Sequence, residues 1–196
     1  MSQEVVNEEF VMTFGMPKQV MNFHERAAQR CQRELGIQPY PGRLGLHSTV
    51  KEPFRMDGPT RDRFVERMDG LLGLGRLPAV EVQIGAVDHF KEPEEAIYLS
   101  LYNNLREPTL VRLRALLEEM RIEPPPLDRE TGYATLALRE AQGLGLAAEE
   151  DVQLVFGIFK DLCPWKYCTL SVFLTELTLF ERATAEVVKT WTLRPH

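Results

Sequence analysis

The alternation of hydrophobic and polar residues predicts a chain in which strands and helices follow one another. Between positions 79 and 90, Val80, Val82 and Ile84 fall on one face of a strand, and Glu81 and Gln83 fall on the other. Between positions 17 and 35 the apolar residues recur at the spacing of a helix, and a glycine at position 36 marks its end.

The same reading along the whole chain gives the order βαβαββ followed by αβαββ. The predicted strands are 9–16, 44–50, 79–90, 96–102, 132–140, 166–182 and 185–193, and the predicted helices are 17–35, 59–72, 105–120 and 146–162. Long helices separate some strands while 79–90 and 96–102 read as a hairpin, which favours an α+β fold with mainly antiparallel sheets. A βαβ segment recurs in each half of the chain and indicates two similar lobes.

Composition narrows the class of protein. The chain has 196 residues, 44% hydrophobic and 27% charged, which is typical of a globular protein whose residues 1–196 form a single domain. No apolar run is long enough to span a bilayer, and the acidic N-terminus lacks the order of a secretory signal, so we expect a cytoplasmic protein that does not bind membranes. The net charge of −6 argues against duplex DNA as a partner, although it permits a nucleotide or a short RNA end.

The three cysteines, Cys31, Cys163 and Cys168, are odd in number and scattered. No pair has the spacing of zinc ligands, so the sequence predicts reduced thiols and no zinc site built on cysteines. We also expect no cofactor.

Candidate chemistry begins with the segment LHSTVKEPF, residues 46–54. Alternation along a strand places His47, Thr49 and Lys51 on one face. An imidazole exchanges protons near neutral pH, a hydroxyl donates to phosphate oxygens, and a lysine adds positive charge, so the three form half of a phosphate site. The alternative is a histidine that is simply hydrogen-bonded within the core.

A second segment, GYATLALRE, repeats this arrangement over residues 132–140. The same alternation places Tyr133, Thr135 and Arg139 on one face, which would put a phenol, a hydroxyl and a guanidinium in line. Tyrosine and threonine are also ordinary strand formers, so a purely structural role is the alternative.

With these segments the sequence resembles the two-histidine phosphoesterases, the LigT-like or 2′-5′ RNA ligase family, which carry His-x-Thr/Ser once per lobe. LHSTVKEPF is similar to the first copy, and YATLALR lies where the second copy belongs. VQIGAVDHF, AIYLSLY and the closing FLTELTLFERATAEVVKTWTL resemble the family's other strands, so the resemblance covers nearly the whole chain. It implies a two-lobed, pseudo-symmetric fold with outer helices around a central cleft.

The resemblance also implies roles. In the family two imidazoles flank a phosphate as general base and general acid, and the two hydroxyls, here Thr49 and Thr135, hold its non-bridging oxygens without a metal. This chain has Tyr133 where the second histidine belongs. A phenol with a pKa of about 10 donates a proton but is a poor base. A second register, YCTL at 167–170, also offers tyrosine and lies too close to the closing strands.

Three outcomes therefore remain open. His47 is the base with Tyr133 as the acid; or His89 stands in for the missing imidazole from a loop before Phe90; or the site only binds its ligand. The first two describe a metal-independent phosphodiesterase or 2′-5′ RNA ligase-like enzyme acting on 2′,3′-cyclic phosphates, 2′-5′-linked nucleotides or RNA ends. The third describes a non-catalytic module that binds a nucleotide or an RNA end.

The remaining candidates would bind substrate. Alternation makes Lys51 and Arg139 candidates for holding phosphate charge, although the family often has its arginine one position earlier, at Leu138 in this chain. Phe90 is a candidate for stacking on a base at the rim of the cleft. We expect the protein to be a monomer.

Overall fold

Eight strands and four helices make up the described part of the chain, residues 8–91, 95–103, 107–122, 131–139 and 149–195 of a computed structural model. The strands are β1 (Glu8–Gly15), β2 (His47–Met56), β3 (Val80–Phe90), β4 (Ala96–Asn103), β5 (Thr131–Leu138), β6 (Leu170–Leu174), β7 (Glu176–Glu181) and β8 (Val187–Thr192). The helices are α1 (Lys18–Leu35), α2 (Gly58–Gly73), α3 (Pro108–Glu119) and α4 (Glu149–Leu162).

The strands form one sheet in the order β6-β3-β4-β5-β2-β1-β7-β8, and all pairings between neighbouring strands are antiparallel. The two halves, β2-β1-β7-β8 and β5-β4-β3-β6, meet where Ser48 of β2 pairs with Ala134 of β5. Each half contains an antiparallel strand pair connected by a helix, β1-α1-β2 and β4-α3-β5. The predicted α+β, pseudo-symmetric architecture is confirmed, with a single continuous sheet in place of separate sheets.

The helices pack on the apolar side of this sheet. In α1, the Phe23 ring lies 5.8 Å from Phe159 of α4 and 5.4 Å from Trp165, both edge to face. Phe64 of α2 makes the same type of contact with Trp191 of β8 at 6.4 Å. None of the helices described here is both long and apolar enough to cross a membrane.

Local sequence signals explain where the helices begin and end. The Asp57 side chain accepts a hydrogen bond of 2.8 Å from the Thr60 backbone N–H and caps the start of α2. Gly36 ends α1 with a φ of 71°, a left-handed conformation that glycine adopts without strain.

The predicted strand over 166–182 is wrong, because two strands occupy this segment. β6 and β7 are separated by Thr175 alone and lie in opposite halves of the sheet, beside β3 and β1. Buried apolar residues are even-numbered in β6, at Val172 and Leu174, and odd-numbered in β7, at Leu177 and Leu179. That change of phase marks the point where the chain crosses the sheet.

The second predicted strand, 44–50, begins and ends later than expected, at 47 and 56. Residues before it form a turn in which the Gly45 N–H bonds to the Gly42 carbonyl at 3.0 Å. Pro53 is tolerated within β2 because the pairing with β1 shifts register on either side of the Met12–Lys51 pair.

Candidate active site

The two candidate motifs lie on the two central strands and meet at their middle residues. Ser48 pairs with Ala134, and both side chains are buried on the helix-packed face. Because side chains alternate along a strand, the residues on either side point to the opposite face of the sheet, which we call the open face. These flanking residues are His47, Thr49, Tyr133 and Thr135.

This register gives the motifs a two-fold relationship. In an antiparallel pair centred on Ser48 and Ala134, His47 lies across from Thr135 and Thr49 lies across from Tyr133. Directly opposed residues have Cβ atoms about 5 Å apart, and diagonal ones such as His47 and Tyr133 are about 7–8 Å apart. Tyr133 therefore occupies the position symmetric to His47. The other register is excluded, because Tyr167 lies outside the strands and is 90% exposed.

A glycine turn fixes the protonation of His47. Gly42 and Gly45 have φ values of 106° and 71°, which favour glycine, and the turn they form directs the Gly45 carbonyl toward the ring. His47 Nδ1 lies 2.7 Å from that carbonyl oxygen, which can only accept, so Nδ1 carries the proton. In the neutral ring Nε2 then holds a free lone pair. Burial lowers the pKa of His47, and the bond to Gly45 opposes this effect. His47 is therefore a neutral base at pH 7.

Tyr133 belongs to a cluster of three aromatic rings on the open face. Its ring lies 5.6 Å from Phe90 and 5.8 Å from Tyr98, both edge to face, and Phe90 and Tyr98 are 4.9 Å apart. Tyr133 is nevertheless 38% exposed. The cluster orients the phenol while leaving it accessible to a ligand.

Tyr98 was missed by the sequence analysis, although it pairs directly with Thr135. Burial raises the pKa of Tyr98, and the charge of Asp88 and a hydrogen bond to its carboxylate raise it further. Tyr98 therefore remains a neutral phenol next to the motif. The alternation of apolar residues with tyrosine and serine in AIYLSLY was the available signal, since it places Tyr98, Ser100 and Tyr102 on one face of the strand.

The structure does not bring Arg139 to the open face. The pairing of β5 with β4 shifts after Tyr98–Thr135, so that Ala137 pairs with Ile97 and Leu136 is an extra, bulged residue. A bulge reverses the alternation beyond it. The prediction that Arg139 shares a face with Tyr133 is therefore wrong.

Arg139 instead joins a polar cluster with Glu95 and His89. Arg139 Nη1 donates to Glu95 Oε2 at 2.7 Å, and His89 Nε2 lies 3.2 Å from Glu95 Oε1. The hydrogen bond from Arg139, more than that from His89, keeps the pKa of Glu95 below its usual value. The carboxylate is therefore ionised and holds both partners.

His89 lies in β3 rather than in a loop and belongs to the helix-packed face. It pairs with the buried Ile97, and its ring lies 5.9 Å from Phe156 of α4. Asp88 and Phe90, its chain neighbours, point to the open face, where Phe90 contacts Tyr133. His89 is thus not placed to replace a second imidazole. Phe90 lies on the open face, and its stacking on a base stays a prediction.

Lys51 lies in β2 opposite Met12, and a register shift separates this pair from Thr13–Thr49. The alternation that predicted Lys51 beside Thr49 is interrupted there, and the Lys51 side chain lies outside the described residues. Its contribution to phosphate binding stays a prediction.

His24 of α1 supports the bulge in β5 from the other face. Its Nε2 lies 2.9 Å from the carbonyl oxygen of Leu136, the extra residue, and its ring packs 5.6 Å from Phe159. Burial lowers the pKa of His24, so the ring is neutral and donates this hydrogen bond. A histidine on an otherwise apolar helix stripe was the available signal in the sequence.

The lowered pKa values predict that stability falls in mild acid. In the folded chain the pKa of His24 and the pKa of His47 both lie below the ordinary value of 6.5. Between pH 6.5 and the folded-state pKa values, the unfolded chain therefore binds more protons than the folded chain. Their contribution to the free energy of unfolding is complete above pH 6.5 and is lost as the pH falls through the folded-state pKa values. Urea unfolding at a series of pH values measures this loss. His24→Gln keeps a donor for Leu136 but does not titrate, so its pH dependence should be shallower; identical slopes would contradict the assignment.

Comparison with solved structures identifies the fold. The apo form of E. coli LigT matches with a TM-score of 0.50 and 15% sequence identity over 96% of this chain and 98% of that chain. E. coli LigT complexed with ATP gives 0.48 and 14% over 96% and 99%. Kluyveromyces marxianus Usb1 with uridine monophosphate gives 0.46 and 15% over 95% and 97%.

No protein-family model and no curated protein matches the sequence. The apo LigT comparison, with its near-complete coverage of both chains, is the one that defines the architecture. The chain has the α+β fold of E. coli LigT, the fold that its resemblance to the two-histidine phosphoesterases implied.

Proposed function

We propose that this chain is a two-histidine-type phosphoesterase in which Tyr133 has replaced the second histidine. It acts without a metal or cofactor on 2′,3′-cyclic phosphates, 2′-5′-linked nucleotides or RNA ends. The observation that carries this proposal is the Ser48–Ala134 pair, which centres His-x-Thr and Tyr-x-Thr on each other across the two middle strands.

The geometry supports a mechanism in which His47 of β2 is the general base and Tyr133 of β5 is the general acid. For a 2′,3′-cyclic phosphate, His47 Nε2 takes a proton from water as the water oxygen attacks phosphorus. The bond from phosphorus to the 2′ or 3′ oxygen breaks, and Tyr133 donates its phenolic proton to that oxygen. The product is a nucleoside monophosphate, and proton exchange with solvent restores neutral His47 and Tyr133. A phenol is a stronger acid than a ribose hydroxyl, so this direction of transfer is favourable.

The remaining open-face residues fit the two parts of such a substrate. The hydroxyls of Thr49 and Thr135 are donors for non-bridging phosphate oxygens, where charge increases in the transition state. Phe90 and Tyr98 offer aromatic surface for a base, since base stacking on aromatic side chains tolerates any nucleotide. Lys51 keeps its predicted role of adding positive charge.

The wider expectations from composition belong to the same proposal. Residues 1–196 form one two-lobed domain that acts as a monomer in the cytoplasm, and its partner is a nucleotide or a short RNA end. Size-exclusion chromatography with light scattering measures the mass in solution and so tests whether the protein is a monomer.

A non-catalytic binding module of the same fold is the second candidate, and the identity of Tyr133 favours it. At pH 7 a phenol is protonated and is a poor base, so this chain lacks the pair of imidazoles that can exchange the roles of base and acid. Such a module would keep the phosphate and base contacts of the site and release its ligand unchanged.

Turnover separates the two candidates. Purified protein is incubated with each nucleoside 2′,3′-cyclic monophosphate in excess EDTA, and products are resolved by chromatography. The proposal expects conversion to a single monophosphate isomer. Saturable binding without turnover would establish the binding module, and absence of both would overturn the proposal.

A further inference from the structure

A glycine on β1 opens space beside His47. Gly15, the last residue of β1, pairs directly with His47 of β2, so its missing side chain would have pointed to the open face. A Cβ at position 15 would lie 3.0 Å from Oε1 of Glu176 and 3.4 Å from its Cβ. The Glu176 side chain therefore lies over Gly15.

The position of Glu176 follows from the register on the other side of β1. Phe14 pairs with Leu177, so Glu176, the first residue of β7, lies next to Gly15. The Glu176 carboxylate lies over Gly15 of β1, and Gly15 pairs with His47 of the neighbouring strand β2. Paired residues have Cβ atoms about 5 Å apart, so His47 lies next to the position that the carboxylate covers. The exposed carboxylate and the His47 imidazole thus border the same space on the open face.

The site is consequently asymmetric about the motif pair. The aromatic rings of Phe90 and Tyr98 lie on the β3–β4 side, and the Glu176 carboxylate lies on the β1–β7 side. A nucleotide whose base stacks on the aromatic side, with its phosphate between His47 and Tyr133, directs the group on the far side of the phosphate toward Glu176. In a phosphodiester this group is a second nucleoside.

We propose that Glu176 determines specificity for that second nucleoside, an inference that rests on the proposed function. Its carboxylate accepts hydrogen bonds from ribose hydroxyls, which are donors, and repels a phosphate attached to the same ribose. The preferred substrate therefore ends in an unphosphorylated ribose on this side, as a dinucleoside monophosphate or the end of an RNA does.

The test compares two ligands that differ by one phosphate. One is a 2′-5′-linked dinucleoside monophosphate, and the other carries an additional phosphate on its second ribose. We expect the wild-type protein to favour the first by at least about tenfold in kcat/KM, or in Kd if no turnover occurs, because closely juxtaposed like charges oppose binding. In Glu176→Gln the ratio should fall to within about threefold, since the repulsion is removed.

Two further variants separate this role from general effects of charge or folding. Glu186→Gln removes the same charge from the turn between β7 and β8 and should keep the wild-type ratio. Gly15→Ala keeps every charge but places a methyl group against the Glu176 carboxylate, so the ratio should fall without loss of charge.

The outcomes distinguish the two levels of the argument. If both ligands bind and Glu176→Gln leaves their ratio unchanged, the role of Glu176 is wrong while the proposed function stands. If the wild-type protein binds neither ligand but binds or turns over a nucleoside 2′,3′-cyclic monophosphate, this inference alone fails. If it neither binds nor turns over any of these compounds, the proposed function fails and this inference fails with it.

Discussion

Replacing His47 with alanine is expected to reduce turnover of a 2′,3′-cyclic nucleotide by about 10²–10⁴-fold, the range associated with loss of a general base. The reason is specific to the neutral tautomer. The Gly45 carbonyl holds the proton on Nδ1, so Nε2 is the basic atom available on the open face. Steady-state kcat/KM in EDTA measures the loss.

A second substitution separates chemistry from folding. His47→Asn retains an N–H donor for the Gly45 carbonyl and removes the base, so it should lose activity equally while unfolding at nearly the wild-type urea concentration. His89→Ala should keep turnover within about threefold, because that ring lies on the helix-packed face and is no general base in this account. Activity that survives in His47→Asn and disappears in His89→Ala would reverse the assignment of the base.

Changing Tyr133 is expected to have the second largest effect. Tyr133→Phe removes one hydroxyl and keeps the ring packed against Phe90 and Tyr98, so kcat should fall by about 10²-fold or more if the phenol is the acid. Ligand affinity should change little. Tyr133→His places an imidazole at the position symmetric to His47 and should raise kcat above the wild-type value.

The pattern across these two variants carries the interpretation. An unchanged kcat in Tyr133→Phe would show that the phenolic hydroxyl takes no part in proton transfer. A rate in Tyr133→His below that of Tyr133→Phe would contradict the alignment of this strand with a second His-x-Thr motif. Tyr167→Phe, an equivalent change at a 90% exposed tyrosine, should leave both kcat and ligand affinity unaltered.

Local patterning was sufficient to predict most elements, because their signals lie within a few residues. The period of two in β3, the glycine after α1 and the hairpin of β3 with β4 all appear where the sequence indicated. The sequence also placed His47 and Tyr133 on the correct face of the sheet. Each is next in sequence to a buried residue, Ser48 or Ala134, so alternation directs its own side chain to the open face.

The face of Arg139 was mispredicted because pairing between distant strands interrupts the alternation along β5. One extra residue, Leu136, reverses the face of Arg139, and nothing in the composition of LALRE marks it as a bulge. Its freed carbonyl is bonded by His24 from a helix more than 100 residues away in sequence, so the bulge depends on tertiary structure. The register that brings Tyr98 next to Thr135 is likewise a property of the folded sheet.

The central claim is that His47 and Tyr133, on two paired strands, contact the same phosphate of a bound ligand. NMR titration tests this claim most directly. The protein is labelled on histidine and tyrosine rings, His47→Asn and Tyr133→Phe provide the assignments, and a nucleoside 2′-monophosphate is added in steps. The account predicts that the His47 and Tyr133 ring signals shift together with a single Kd, while the signal of Tyr167 stays fixed. Saturable binding that moves neither ring, or moves only one of them, would contradict it.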